Sequence, residues 1–213
     1  MTDRSHITIL LDRTGSMQDI RADVVGGFNA FLAAQQALPG QATLTLVQFD
    51  SQDPYEVIHA AAPLATVAPL TLEQYVPRAS TPLYDAMGRG ILDLELRLAR
   101  LPEAERPRQV IFVVVTDGME NASREFRRDR VMALIEAKKK LGWDFVFLSA
   151  DLGAFADAGD LGVVYESRLA FSKSARGSER AWAAASDKIG RRRGGAAAVV
   201  FDDQDRQAGD DTA

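Results

Sequence analysis

The sequence predicts a doubly wound α/β fold: a mostly parallel, six-stranded sheet with one antiparallel edge strand and helices on both faces. Three observations carry that expectation. Short β-rich runs alternate with segments of helical apolar spacing along most of the 213 residues, the pattern of a sheet covered by crossover helices. The run 109–116, Gln-Val-Ile-Phe-Val-Val-Val-Thr, is almost continuously apolar, as a central parallel strand buried on both faces must be. The β-rich stretches 42–49 and 55–61 are separated only by a short polar turn, which makes them antiparallel neighbours.

Taken in order, residues 7–11 form a strand that opens into the polar loop 12–16. A helix over 20–38 follows, with Val24, Val25, Phe28, Phe31 and Leu32 on one face, and Pro39 and Gly40 stop it. After the hairpin, 63–77 carries three prolines and reads as a connector with at most one turn near 72–75. Pro82 suits the first turn of a helix continued by Leu83, Met87, Ile91, Leu94 and Leu98 until Pro102. The central strand 109–116 then leads to a helix over 123–141, closed by Gly142. A strand over 144–149, a short segment 151–158, a strand over 162–165 and a helix over 178–189 complete the body. Residues 202–213 are acidic and lack apolar periodicity, which predicts disorder. The expected organisation is one domain over 1–193 and a largely disordered tail over 194–213.

Composition narrows the function. A net charge of -5 argues against a general nucleic-acid binder. The absence of cysteine excludes thiolate metal sites, disulfides and cysteine nucleophiles, and two histidines exclude a histidine-rich metal centre. No apolar run approaches the ~20 residues a membrane-spanning helix needs, and residues 1–6 show no secretory pattern. The expectation is a cytoplasmic monomer.

In doubly wound sheets, ligands bind beyond the carboxyl ends of the strands. Asp12, Thr14 and Ser16 follow the first strand, Thr81 follows the proline-rich connector, and Asp117 follows the central strand. In extended chain, residues two apart point the same way, so the first three can aim their oxygens at one point, with Gly15 letting the loop bend. Two carboxylates and three hydroxyls form an all-oxygen set suited to a hard divalent ion, Mg²⁺ or Mn²⁺. A cation held largely by neutral hydroxyls and water keeps an electrophilic position that an acidic group can fill.

These residues resemble the von Willebrand factor A domain with its metal-ion-dependent adhesion site. The first element stands here as Asp12-Arg-Thr14-Gly-Ser16, the second as Thr81 in Ser-Thr-Pro-Leu-Tyr-Asp, and the third as Asp117 in Val-Val-Val-Thr-Asp-Gly. Thr14 departs from the usual serine but keeps the hydroxyl. The resemblance, covering about residues 4–190, implies Asp12, Thr14, Ser16, Thr81 and Asp117 as metal ligands, some through water. It implies Mg²⁺, with Mn²⁺ or Ca²⁺ as alternatives, and a protein partner whose Glu or Asp completes the coordination. The paired glycines of the first helix and the Thr-Asp-Gly-x-Glu-Asn string are similar to small stand-alone bacterial or phage members.

Other features read as structural. Asn121 and Ser123 precede a helix and suit capping, and Glu120 reads as a solvated loop residue within reach of a partner. Lys138 to Lys140 meet the macrodipole of a helix end. Arg191 to Arg193 read as a solvated run pairing with Asp202, Asp203 or Asp205. His6, His59, Trp143 and Trp182 read as structural or core residues. The alternative function is a Mg²⁺-dependent phosphatase-like hydrolase using Asp12 as nucleophile. Thr14 stands where such chemistry wants a second carboxylate, and no lysine lies near the matching loops in sequence. No catalytic residue is therefore assigned. Neither G-x-G-x-x-G nor a P-loop motif occurs.

Overall fold

The computed structural model describes residues 4–209. Strands β1 (Arg4–Asp12), β2 (Gln41–Phe49), β3 (Glu56–Pro63), β4 (Gln109–Thr116), β5 (Trp143–Ser149) and β6 (Arg168–Ala170) form one sheet in the order β3-β2-β1-β4-β5-β6. Every neighbouring pair is parallel except β2 with β3. The chain therefore starts in the middle, runs outward through β2 to the edge strand β3, and crosses back to lay β4 on the other side of β1. That reversal places a crevice at the C-terminal ends of β1 and β4, where such folds bind ligands.

Side chains alternate across the sheet and feed two cores. On one face Ile7, Ile9, Leu11, Ile111 and Val113 pack under α1 (Arg21–Gln36) and α5 (Ala175–Arg193). There Trp182 sits 5.7 Å from Phe31 and 6.1 Å from Phe28, ring centre to ring centre. A Cβ on Gly27 would lie 2.1 Å from the Trp182 ring, so α1 needs its glycine at that crossing. On the other face Leu10, Phe112, Val114 and Phe147 pack under α2 (Leu83–Arg100), α3 (Arg128–Lys139) and α4 (Leu152–Asp160).

Three expectations are corrected. The helix expected over 123–141 begins only at Arg128, because the preceding residues serve a different helix end. The Asp85 carboxylate accepts the amides of Arg124, Glu125 and Phe126, while Ser123 Oγ accepts the Asp85 amide. These loop residues thus bind the start of α2 instead of capping α3. The strand expected over 162–165 is displaced: α4 runs on to Asp160, Gly162 turns the chain at φ +88°, and pairing with β5 starts at Arg168.

The third correction is the tail. Val199 and Phe201 are buried in the core under α1 and α5, and α6 (Asp203–Gly209) follows. Lys188 holds Asp202 at 2.7 Å and Asp205 at 2.9 Å, and the Arg206 guanidinium lies 4.1 Å from the Tyr165 ring centre. Two buried apolar side chains leave no periodicity to read, yet they suffice to anchor a segment whose acids find a lysine. Residues 210–213 lie outside the described residues. Arg191, Arg192 and Arg193 likewise form no common patch: they bond to Asp187, to Asp144 and to the Gln35 carbonyl at the end of α1.

Candidate metal centre

The five residues singled out in the sequence come together at the crevice. Asp12 ends β1, Thr14 and Ser16 begin the short 3-10 turn Gly15–Ile20 or lie in it, Thr81 precedes α2, and Asp117 follows β4. The oxygens of four of them form a continuous chain: Thr81 Oγ1 lies 3.3 Å from Thr14 Oγ1, which lies 3.3 Å from Ser16 Oγ, which donates to Asp117 Oδ1 at 2.5 Å. Asp12 accepts the Thr14 amide at 2.7 Å on Oδ1 and the Thr116 hydroxyl at 2.5 Å on Oδ2.

Main-chain bonds lock the three loops together. The Gly15 amide donates to the Ala79 carbonyl at 3.1 Å, the Arg78 amide to the Arg13 carbonyl at 2.8 Å, and the Asn121 amide to the Thr81 carbonyl at 3.0 Å. Asn121 Oδ1 accepts the Thr81 amide in return, and Tyr75 donates its hydroxyl to the Asp12 carbonyl. Ala79 adopts φ +59°, a left-handed conformation sparsely used by alanine, which the neighbouring loops hold in place.

Asp12, Thr14, Thr81 and Asp117 are buried, while Ser16 is exposed and marks the mouth. Burial pushes the Asp12 carboxyl up to about 7, against the lowering pull of the Thr116 and Thr14 hydrogen bonds, and the Asp117 charge adds to the rise. Such a group favours a nearby cation. The donor set fits a hard divalent ion on three counts. Every donor is oxygen; Asp117 Oδ2 is buried without a hydrogen bond; and Gly118 leaves open a space where a Cβ would meet Thr81 Oγ1 at 3.3 Å and Ser16 Oγ at 3.6 Å. Among the described residues no three His, Cys, Asp or Glu gather in a metal-ligating group, so a cation here would rely on the hydroxyls.

Several contributors were not legible as such. Lys173, in the loop after β6, places Nζ 3.1 Å from Asp117 Oδ2, within ion-pair distance though without hydrogen-bond geometry. This corrects the expectation that no lysine approaches the site; misplacing β6 hid it. Glu120 is not simply solvated, for its carboxylate accepts the amides of Tyr84, Ala122 and Ser123 and the Ser123 hydroxyl. Beside the site, Arg13 donates to Asp50 at 2.6 Å and also pairs with Glu56, while Arg78 reaches Asp50 at 3.0 Å.

No family model and no curated protein matches the chain. Among solved structures it is similar to a von Willebrand factor type A protein from Catenulispora acidiphila, at 10% identity and TM-score 0.61, over 87% of this chain and 42% of that one. It is similar to proximal thread matrix protein 1 from the mussel byssus, with a zinc-occupied metal-ion-dependent adhesion site, at 13% identity and TM-score 0.57, over 90% and 46%. The manganese-loaded TRAP protein of Plasmodium vivax matches at 14% identity and TM-score 0.50, over 74% and 63%. The chain thus spans less than half the length of the first two. At these identities the likeness is one of fold.

Proposed function

We propose that this chain, which has the fold of von Willebrand factor A domains, is a non-catalytic, Mg²⁺-dependent protein-binding module. Asp12, Thr14, Ser16, Thr81 and Asp117 would hold the ion, directly or through water, and an acidic residue of a protein partner would complete its coordination. The observation that carries this reading is the composition of the crevice at the switch point of the sheet: the buried Asp117 carboxylate, with one oxygen free of hydrogen bonds, joined to the hydroxyls of Ser16, Thr14 and Thr81, and a second buried carboxylate, Asp12, bonded to the Thr14 amide. The zinc-occupied site of one similar structure and the manganese loading of another support it. Within the reading, the chain's own residues orient the ligands: Thr116 and the Thr14 amide fix Asp12, and Asn121 fixes Thr81.

The bound ion would supply a Lewis-acidic position for an anionic oxygen. Among the described residues no helix is long and apolar enough to cross a membrane; a cytoplasmic, monomeric protein is part of the proposal. Affinity purification from the native cell, first with Mg²⁺ and then with chelator, tests it. Partners should be lost on chelation and with Thr81→Ala; partners that survive both would place the interaction elsewhere.

Lys173 gives the hydrolase reading the cation it lacked. That reading still has no acid for the leaving group, because Thr14 occupies the position two residues after Asp12. Absence of Mg²⁺-dependent phosphate release from an aryl phosphate is the expected outcome.

A further inference from the structure

Among the described residues, Asp117 is the one ligand candidate with a cation already beside it. Its side chain is fully buried, its Oδ1 takes the Ser16 hydroxyl, and its Oδ2 has only the Lys173 ammonium at 3.1 Å. The Lys173 backbone is held in place. Ser174 caps α5 by accepting the Gly177 amide, Ser172 and Ser174 share a hydrogen bond, and a Cβ on Gly177 would lie 2.2 Å from Ser172 Oγ. The Lys173 side chain is 44% exposed, unlike the 5% of Arg13 on neighbouring Asp50. A flexible four-carbon stem on a fixed loop can therefore deliver its charge to Asp117 or withdraw it into water at little desolvation cost.

We propose that Lys173 is the built-in counter-cation of the metal centre: its ammonium occupies the free oxygen of Asp117 until a divalent ion displaces it, and so sets the metal concentration at which the site loads. The inference rests on the metal-binding reading above and adds the regulation of that site. A divalent ion entering beside Asp117 repels the ammonium and competes for the same carboxylate charge, so the observed affinity is the intrinsic affinity weakened by the ion pair that must break. Half exposure of the lysine keeps that penalty moderate, between the values of surface and buried pairs.

Calorimetric titration of Mn²⁺ into the full chain and into Lys173→Met tests this, with Lys173→Gln as a second uncharged variant and thermal melts in chelator confirming that each is folded. Both variants should bind Mn²⁺ about fivefold to tenfold more tightly than the parent. Equal or weaker affinity in both would overturn the role of Lys173 while leaving the metal reading intact. Absence of Mn²⁺ binding in parent and variants alike would overturn the metal reading together with this inference.

Discussion

Asp12 and Asp50 stand at the C-terminal ends of neighbouring strands, both fully buried, and their surroundings treat them in opposite ways. Burial raises the Asp50 carboxyl, but the Gln52 amide, Arg13, the Asp53 amide and Arg78 together outweigh it and hold the group below its ordinary value. Asp12 has only neutral donors, the Thr116 hydroxyl and the Thr14 amide and hydroxyl, against its deeper burial, and is pushed up to about 7. A buried acid supplied with its own arginines is a brace. A buried acid supplied only with neutral donors is a site that favours an added cation. The pentapeptide Asp12 to Ser16 serves both: its aspartate belongs to the crevice, while its arginine, one residue on, closes the neighbouring brace.

The largest expected effect breaks the brace. Asp50→Asn leaves Arg13 buried with only the half-exposed Glu56 as a charged partner, and should cost about 3 kcal/mol in chemical denaturation. Asp12→Asn should be tolerated in chelator. An asparagine amide can donate to Thr116 Oγ1, whose own proton can turn to the Gly118 carbonyl 3.1 Å away. If both substitutions were equally destabilising, the distinction between brace and site would fail.

A second expectation sharpens the contrast through pH. The folded Asp50 lies below its ordinary 3.8, so its contribution is present above that value and lost as pH falls through the folded pKa. Asp12 has the opposite sign: raised from 3.8 to about 7, it favours the fold at low pH and loses that contribution as pH rises through about 7. In chelator, Asp12→Asn should therefore gain stability relative to the parent between about pH 4 and pH 7, measured by denaturation at a series of pH values. A difference that does not change with pH would mean that burial does not hold Asp12 protonated.

The smallest expected effect is local. Gly118→Ala puts a methyl beside Thr81 Oγ1 and Ser16 Oγ, and should lower metal affinity about tenfold with little change in melting temperature. An unchanged affinity would place the cation away from that space.

Much of this was legible in the sequence, for identifiable reasons. β4 announced itself by being apolar on both faces, and Asp12, Thr14, Ser16, Thr81 and Asp117 by falling at strand ends where ligands bind. What stayed hidden depended on contacts distant in sequence. Nothing local marks Ser123 as a cap for α2, because its partner is the Asp85 amide 38 residues away. Lys173 could be placed only once β6 was placed, and a three-residue strand, Arg168–Ala170, has too little pattern to read. Phe201 looked like part of a polar tail because its burial comes from the core it shares with α1 and α5, whose residues lie far from it in sequence or carry no pattern into it.

The central claim, that the crevice at Asp12 and Asp117 binds one divalent ion, is tested most directly by calorimetric titration of Mg²⁺ and Mn²⁺ into the parent and into Asp12→Asn combined with Asp117→Asn. One equivalent of ion should bind the parent, and the double variant, still folded, should bind none. Unchanged stoichiometry and affinity in the folded double variant would contradict the assignment.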